Sequence, residues 1–74
     1  MDDEIVKKIR YITELIHKVA FENGDMQELL SEMEKLIGKE HMASELKKRT
    51  VPKVKYTNFS YSLILLDILR EWGR

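Results

Sequence analysis

Arg10, Glu14 and His17 are the residues of this chain whose types and spacing could do chemistry. On a helix, positions i, i+4 and i+7 share one face. An imidazole there moves protons near neutral pH, and a guanidinium two turns away holds a phosphate. The same stretch contains Glu14-x-x-His17, the spacing by which helical bundles present metal ligands to their interior. That use requires the face to point inward, and Ile12, Ile16 and Val19 take the inward side instead. No metal-binding or catalytic residue is therefore assigned. Gly24, Gly38 and Gly73 stand singly, so no glycine-rich loop cradles a phosphate and no cofactor is implied.

Arg10-x6-His17 resembles, at that spacing, the catalytic pair of HEPN-type ribonucleases. The resemblance covers eight residues, with Tyr11 where that family usually carries a polar side chain. It implies an enzyme whose dimer brings two Arg10–His17 pairs together on RNA. A solvated polar face explains the same residues, and the ribonuclease ranks as the third reading. The antiparallel hairpin expected below also resembles, in outline, the small aspartyl-phosphate phosphatases of sporulating bacteria. Their second helix carries Ser-x-x-x-Asp; here Lys35 stands four residues after Ser31, so that activity is not carried over.

A second cluster is electrostatic. Lys47, Lys48, Arg49, Lys53 and Lys55 place five cations in nine residues, with Tyr56 beside them. Such a segment grips a nucleic-acid backbone by charge and by stacking. The counter-reading is that acidic residues of the same or a second chain satisfy these charges. The chain's net charge of zero hides a division. Residues 1–46 carry six Lys/Arg against eleven Asp/Glu, a net of −5, and residues 47–74 carry seven against two, a net of +5. Sequence-level segregation of this kind bears on partners rather than on fold.

The elements that position these groups follow from periodicity. Seventy-four residues make one domain, small enough to gain from sharing a core with a partner. The absence of cysteine removes disulfides and thiolate zinc sites. The opening Met-Asp-Asp-Glu is acidic and no apolar leader follows it, so a cytoplasmic setting is expected. Ile5, Ile9, Ile12, Ile16 and Val19 recur at intervals of four and three, which predicts an amphipathic helix over 3–22 begun by Asp2 and Asp3. Glu4–Lys8 and Glu14–Lys18 are candidate i,i+4 ion pairs on it.

Asn23-Gly24-Asp25 predicts a tight connection, with Gly24 in the left-handed conformation and Asp25 and Glu28 as a capping box. Met26, Leu29, Leu30, Met33, Leu36 and Ile37 continue the pattern into a second helix, antiparallel to the first and reaching Arg49. Gly38 lies within it and either bends or breaks it. His41-Met42-Ala43-Ser44 coincides with what adjoining cloning sites of expression vectors encode; a join there would make 1–40 and 45–74 separate in origin. Pro52 ends helical structure and predicts an extended basic linker over 50–57. Eight residues span at most about 28 Å, which leaves the direction of the last helix open.

That last helix, expected over 58–73, is the organising element. Ser60, Asp67, Glu71 and Arg74 form a narrow polar stripe, and apolar residues take most of the remaining circumference. A helix lying on one neighbour needs an apolar stripe of little more than 100°. This one exceeds it, so burial on two sides is expected. Its uninterrupted apolar run, Leu63–Leu66, is far short of the roughly 20 residues of a bilayer span. The reading is an all-α, three-helix domain: a helical hairpin plus a C-terminal helix, non-enzymatic, acting in protein interaction or regulation. Phe59, Leu63, Leu65, Leu66, Ile68, Leu69 and Trp72 are the candidate partner-binding residues, for a homodimer or a helical partner. A nucleic-acid-associated regulator using 47–55 is the alternative.

Overall fold

The computed structural model describes residues 2–74, and they form four helices: α1 (Asp3–Phe21), α2 (Met26–Ile37), α3 (Lys39–Arg49) and α4 (Asn58–Trp72). The expected three-helix arrangement is thereby corrected to four helices. The stretch from Asp25 to Arg49 is two helices, and Gly38 separates them without a loop. Its φ of 99° and ψ of 141° lie where only glycine is comfortable. Its N–H still donates to the Glu34 carbonyl at 2.8 Å, and its own carbonyl accepts from Met42 N–H at 3.0 Å. One residue thus closes α2 and opens α3.

The reason for the break is length. Tyr11 Oη donates to Glu28 Oε1 at 3.0 Å, and Lys8, Tyr11, Glu32 and Lys35 line one shallow hollow between α1 and α2. Beyond Lys35, little of α1 remains to be covered. Eleven more residues in line would overhang by roughly 16 Å. The turn at Gly38 instead sends α3 against α2 and α4, and it does not touch α1. Met42, inside the His41–Ser44 stretch, is only 2% exposed and belongs to the core.

Local capping fixes the other ends. Asp2 accepts from Glu4 N–H, Asp25 from Gln27 and Glu28 N–H, and Thr57 from Ser60 N–H. Glu28 does not complete the expected capping box, since its carboxylate takes the Tyr11 hydroxyl instead. The left-handed residue after α1 is Asn23, with φ 58°, rather than Gly24. Gly24 is required for space: a Cβ there would stand 2.9 Å from the Lys18 carbonyl carbon and from Val19 N. The expected Glu4–Lys8 and Glu14–Lys18 pairs do not close to within 4.0 Å among the described residues.

The connection 50–57 is folded back rather than extended. Val54 N–H donates to the Val51 carbonyl at 3.4 Å, with Pro52 second in the turn and Lys53 third at φ 70°. This is the pattern of a type II turn, whose third position favours glycine. The Tyr56 hydroxyl closes it by accepting from Val51 N–H at 2.8 Å.

α4 runs antiparallel to α1. Phe59 meets Phe21 at the end of α1, while a Cβ on Gly73 would lie 3.5 Å from Ile9 Cδ1 near its start. Contact between these two helices is the most extensive in the molecule. Ile12, Leu15, Ile16 and Val19 from α1 meet Leu29 and Met33, Met42, and Leu65, Ile68 and Leu69 in one core. Ser62 is the buried polar residue among them, and its Oγ donates to the Asn58 carbonyl at 2.6 Å.

Candidate functional site

α4 has two populations of apolar side chain. Leu65, Ile68 and Leu69 are at most 1% exposed, so these three candidate partner-binding residues are core. Leu66 and Trp72 are half-buried. Phe59 and Leu63 are open, at 44% and 49% exposure. The open residues fall beside α1, where Phe21 is 65% exposed. The Phe21 and Phe59 rings meet edge to face with centroids 5.5 Å apart, and His17 leans on Phe21 at 4.9 Å. An apolar seam therefore runs along the junction of α1 and α4.

Two hollows lie end to end on this seam and share Thr13 and Leu66. The first, about 120 Å³, is walled by Ala20, Phe21, Leu63 and His17. The second, about 310 Å³, lies between Ile9, Arg70 and Gly73. Small residues keep the seam concave: Ala20 and Thr13 on α1, and Gly73 beyond α4. The Thr13 hydroxyl is turned back onto the Ile9 carbonyl at 2.7 Å. The walls are aromatic and aliphatic, with a few polar groups at the margin.

Sequence reasoning placed Phe59, Leu63 and Leu66 on this surface and missed Phe21, Ala20 and Thr13. Phe21 belongs to no heptad-like stripe and stands at a helix terminus. Its signal was its position: a large aromatic immediately before the Glu22-Asn23-Gly24 turn, off the isoleucine face.

Arg10 and His17 are both exposed on α1. His17 Nε2 lies 4.0 Å from Glu22 Oε2, and Arg10 makes no ion pair within 4.0 Å among the described residues. His17 is thus a wall of the apolar seam as well as a member of the polar face. Among the described residues, no group of three or more His, Cys, Asp or Glu side chains is placed to hold a metal ion.

The basic segment is divided. Arg49 donates to Asp67 Oδ2 at 2.9 Å and to Glu45 Oε1 at 2.6 Å, and Lys48 reaches Glu45 Oε2 at 3.0 Å. Asp67 and Glu45 hold the Arg49 guanidinium above its ordinary pKa, and Lys48 with Arg49 holds the Glu45 carboxyl below its own. Lys47, Lys53 and Lys55 are exposed and form no ion pair within 4.0 Å among the described residues. Tyr56 spends its hydroxyl on the turn and sets its ring 6.4 Å from Tyr61. No helix is long and apolar enough to cross a membrane among the described residues.

The described residues form a small all-helical domain with an apolar surface shared by α1 and α4. No protein-family model, curated protein or solved structure matches the chain.

Proposed function

We propose that this chain is a non-enzymatic protein-interaction module that docks through the α1–α4 seam. The observation that carries the reading is the continuity of Phe21, Phe59 and Leu63 over the concave Thr13–Leu66 floor. A domain of 74 residues needs its apolar side chains for its own core, and three large ones spent together on the surface mark an interface. The aromatic pair supplies rigid anchors at small entropic cost, the composition favoured at binding hot spots. Nucleic-acid binding has less support, because Lys48 and Arg49 are engaged by acids of their own chain.

A photo-crosslinking amino acid placed at Phe59, and separately at Ser44 on the exposed side of α3, tests the reading in the intact chain. The Phe59 position should form a protein adduct that Leu63→Asp abolishes, and the Ser44 position should form none. Equal adducts at both positions, or none at Phe59, would remove the seam as the working surface.

A further inference from the structure

Along the seam, exposed Phe59, Leu63 and Arg70 and half-buried Leu66 of α4 repeat a spacing that is its own mirror. Phe59, Leu63, Leu66 and Arg70 are separated by four, three and four residues. Leu66 and Arg70 wall one hollow of the seam, and Leu63 with Leu66 wall the other. A two-fold axis crossing α4 between Ile64 and Leu65 therefore brings Leu63 opposite Leu66 of a second copy. The same axis brings Phe59 opposite the second copy's Arg70.

We propose that the seam's occupant is a second copy of this chain, laid antiparallel across that axis. The proposal rests on the reading of the seam as an interaction surface. A symmetric pair uses the same patch twice, so the patch must be self-complementary, and this one is. Its two ends differ in chemistry. The end of α1 and start of α4 carry Phe21, Phe59 and the Glu22 carboxylate beside His17. The opposite end carries Arg70 and, one residue after Ile9, Arg10. Neither guanidinium is ion-paired within 4.0 Å among the described residues.

Antiparallel docking lays each guanidinium end on the other copy's aromatic end. Arg70 then covers a Phe59 ring, a cation–π arrangement, and Arg10 approaches a Glu22 carboxylate. The other two-fold choice, with the axis along the helices, sets Arg10 and Arg70 against their own counterparts. Like charges would then face each other, which selects the antiparallel arrangement.

Sedimentation equilibrium of the wild-type chain is the first measurement. At about 1 mM, above a dissociation constant on the order of 100 μM, the mass should approach twice the chain's 8.8 kDa. Leu63→Asp should return it to a single chain with unchanged helicity, a loss of affinity on the order of a hundredfold. The absence of cysteine permits a test of register: chains carrying Phe59→Cys and Arg70→Cys are mixed and oxidised. The mixed disulfide should exceed either self-linked form severalfold. A wild-type monomer, a Leu63→Asp chain that stays dimeric, or a mixed link no more abundant than the Phe59→Cys self-link would overturn the proposal. A monomer that still forms the Phe59 adduct with another protein would leave the interaction surface standing without the second copy. A monomer with no adduct would remove both.

Discussion

Arg49 reaches from the last turn of α3 to the middle of α4, its Nε donating to Asp67 Oδ2 at 2.9 Å. Its Nη1 also donates to Glu45 one turn back on its own helix. The guanidinium of the basic segment is thus a tie between two helices. The −5 and +5 segments meet where Lys48 and Arg49 pair with Glu45, while the Arg49–Asp67 pair neutralises charge within the basic segment itself.

A pH dependence follows from Glu45. The Lys48 hydrogen bond, and after it the Arg49 hydrogen bond, lowers its pKa from the ordinary 4.5. A carboxyl depressed in the folded state contributes stability above its unfolded pKa, and that contribution is lost as pH falls through the folded value. Thermal unfolding followed by circular dichroism should therefore show a midpoint that drops below about pH 4.5. Glu45→Gln should be less stable than wild type at pH 7 and should flatten part of that drop. A parallel curve for the variant would show that the Glu45 pairs contribute nothing to stability.

The glycines separate two physical demands. Gly38→Ala places a Cβ at a strained backbone with open space around it, and should cost about 1–3 kcal/mol. Gly24→Ala meets the Lys18–Val19 backbone at 2.9 Å, and backbone cannot yield as a side chain does. It should cost about 1–3 kcal/mol through overpacking. Asn23→Gly, at a left-handed position, should change stability by no more than about 0.5 kcal/mol. Urea titrations with constant slope resolve all three.

Much of this was legible in the sequence. The isoleucine spacing located α1, and the apolar stretch after the Pro52 linker located α4 to within a residue. The break at Gly38 was visible only as an ambiguity, because glycine inside a helix costs about 1 kcal/mol and tertiary fit decides. That fit depends on how far α1 extends beside Lys35, which is not a local property. The Glu28 side chain illustrates the same limit: its chosen partner, Tyr11, lies seventeen residues away. For α4, the excess of apolar residues was readable, but their division was not. It is set by where α1, α2 and α3 sit around the helix, and this puts Leu65, Ile68 and Leu69 inside while Phe59 and Leu63 face out.

That division predicts unequal effects two residues apart. Leu65→Ala opens a cavity in a fully enclosed site and should destabilise by about 2–5 kcal/mol. Leu63→Ala, at 49% exposure in the single chain, should change the stability of the dilute protein by no more than about 0.5 kcal/mol. Equal losses at both positions would show that Leu63 is core.

Nucleic-acid binding by residues 47–55 should be weak. With Lys48 and Arg49 held by their own chain, labelled DNA and RNA at about 50 mM salt should show no saturable binding at low micromolar protein. Tight binding that collapses with rising salt would promote the basic segment over the seam.

The most direct test of the seam is a concentration series of amide spectra by nuclear magnetic resonance. As protein rises from about 10 μM to about 1 mM, crossing the expected dissociation constant, shifts should concentrate at Thr13, His17, Phe21, Phe59, Leu63 and Leu66. Amides of α3 and of the turn at Val51–Val54 should stay fixed. Shifts confined to the Lys47–Lys55 segment, or spectra unchanged across the whole range, would contradict self-association through the α1–α4 surface.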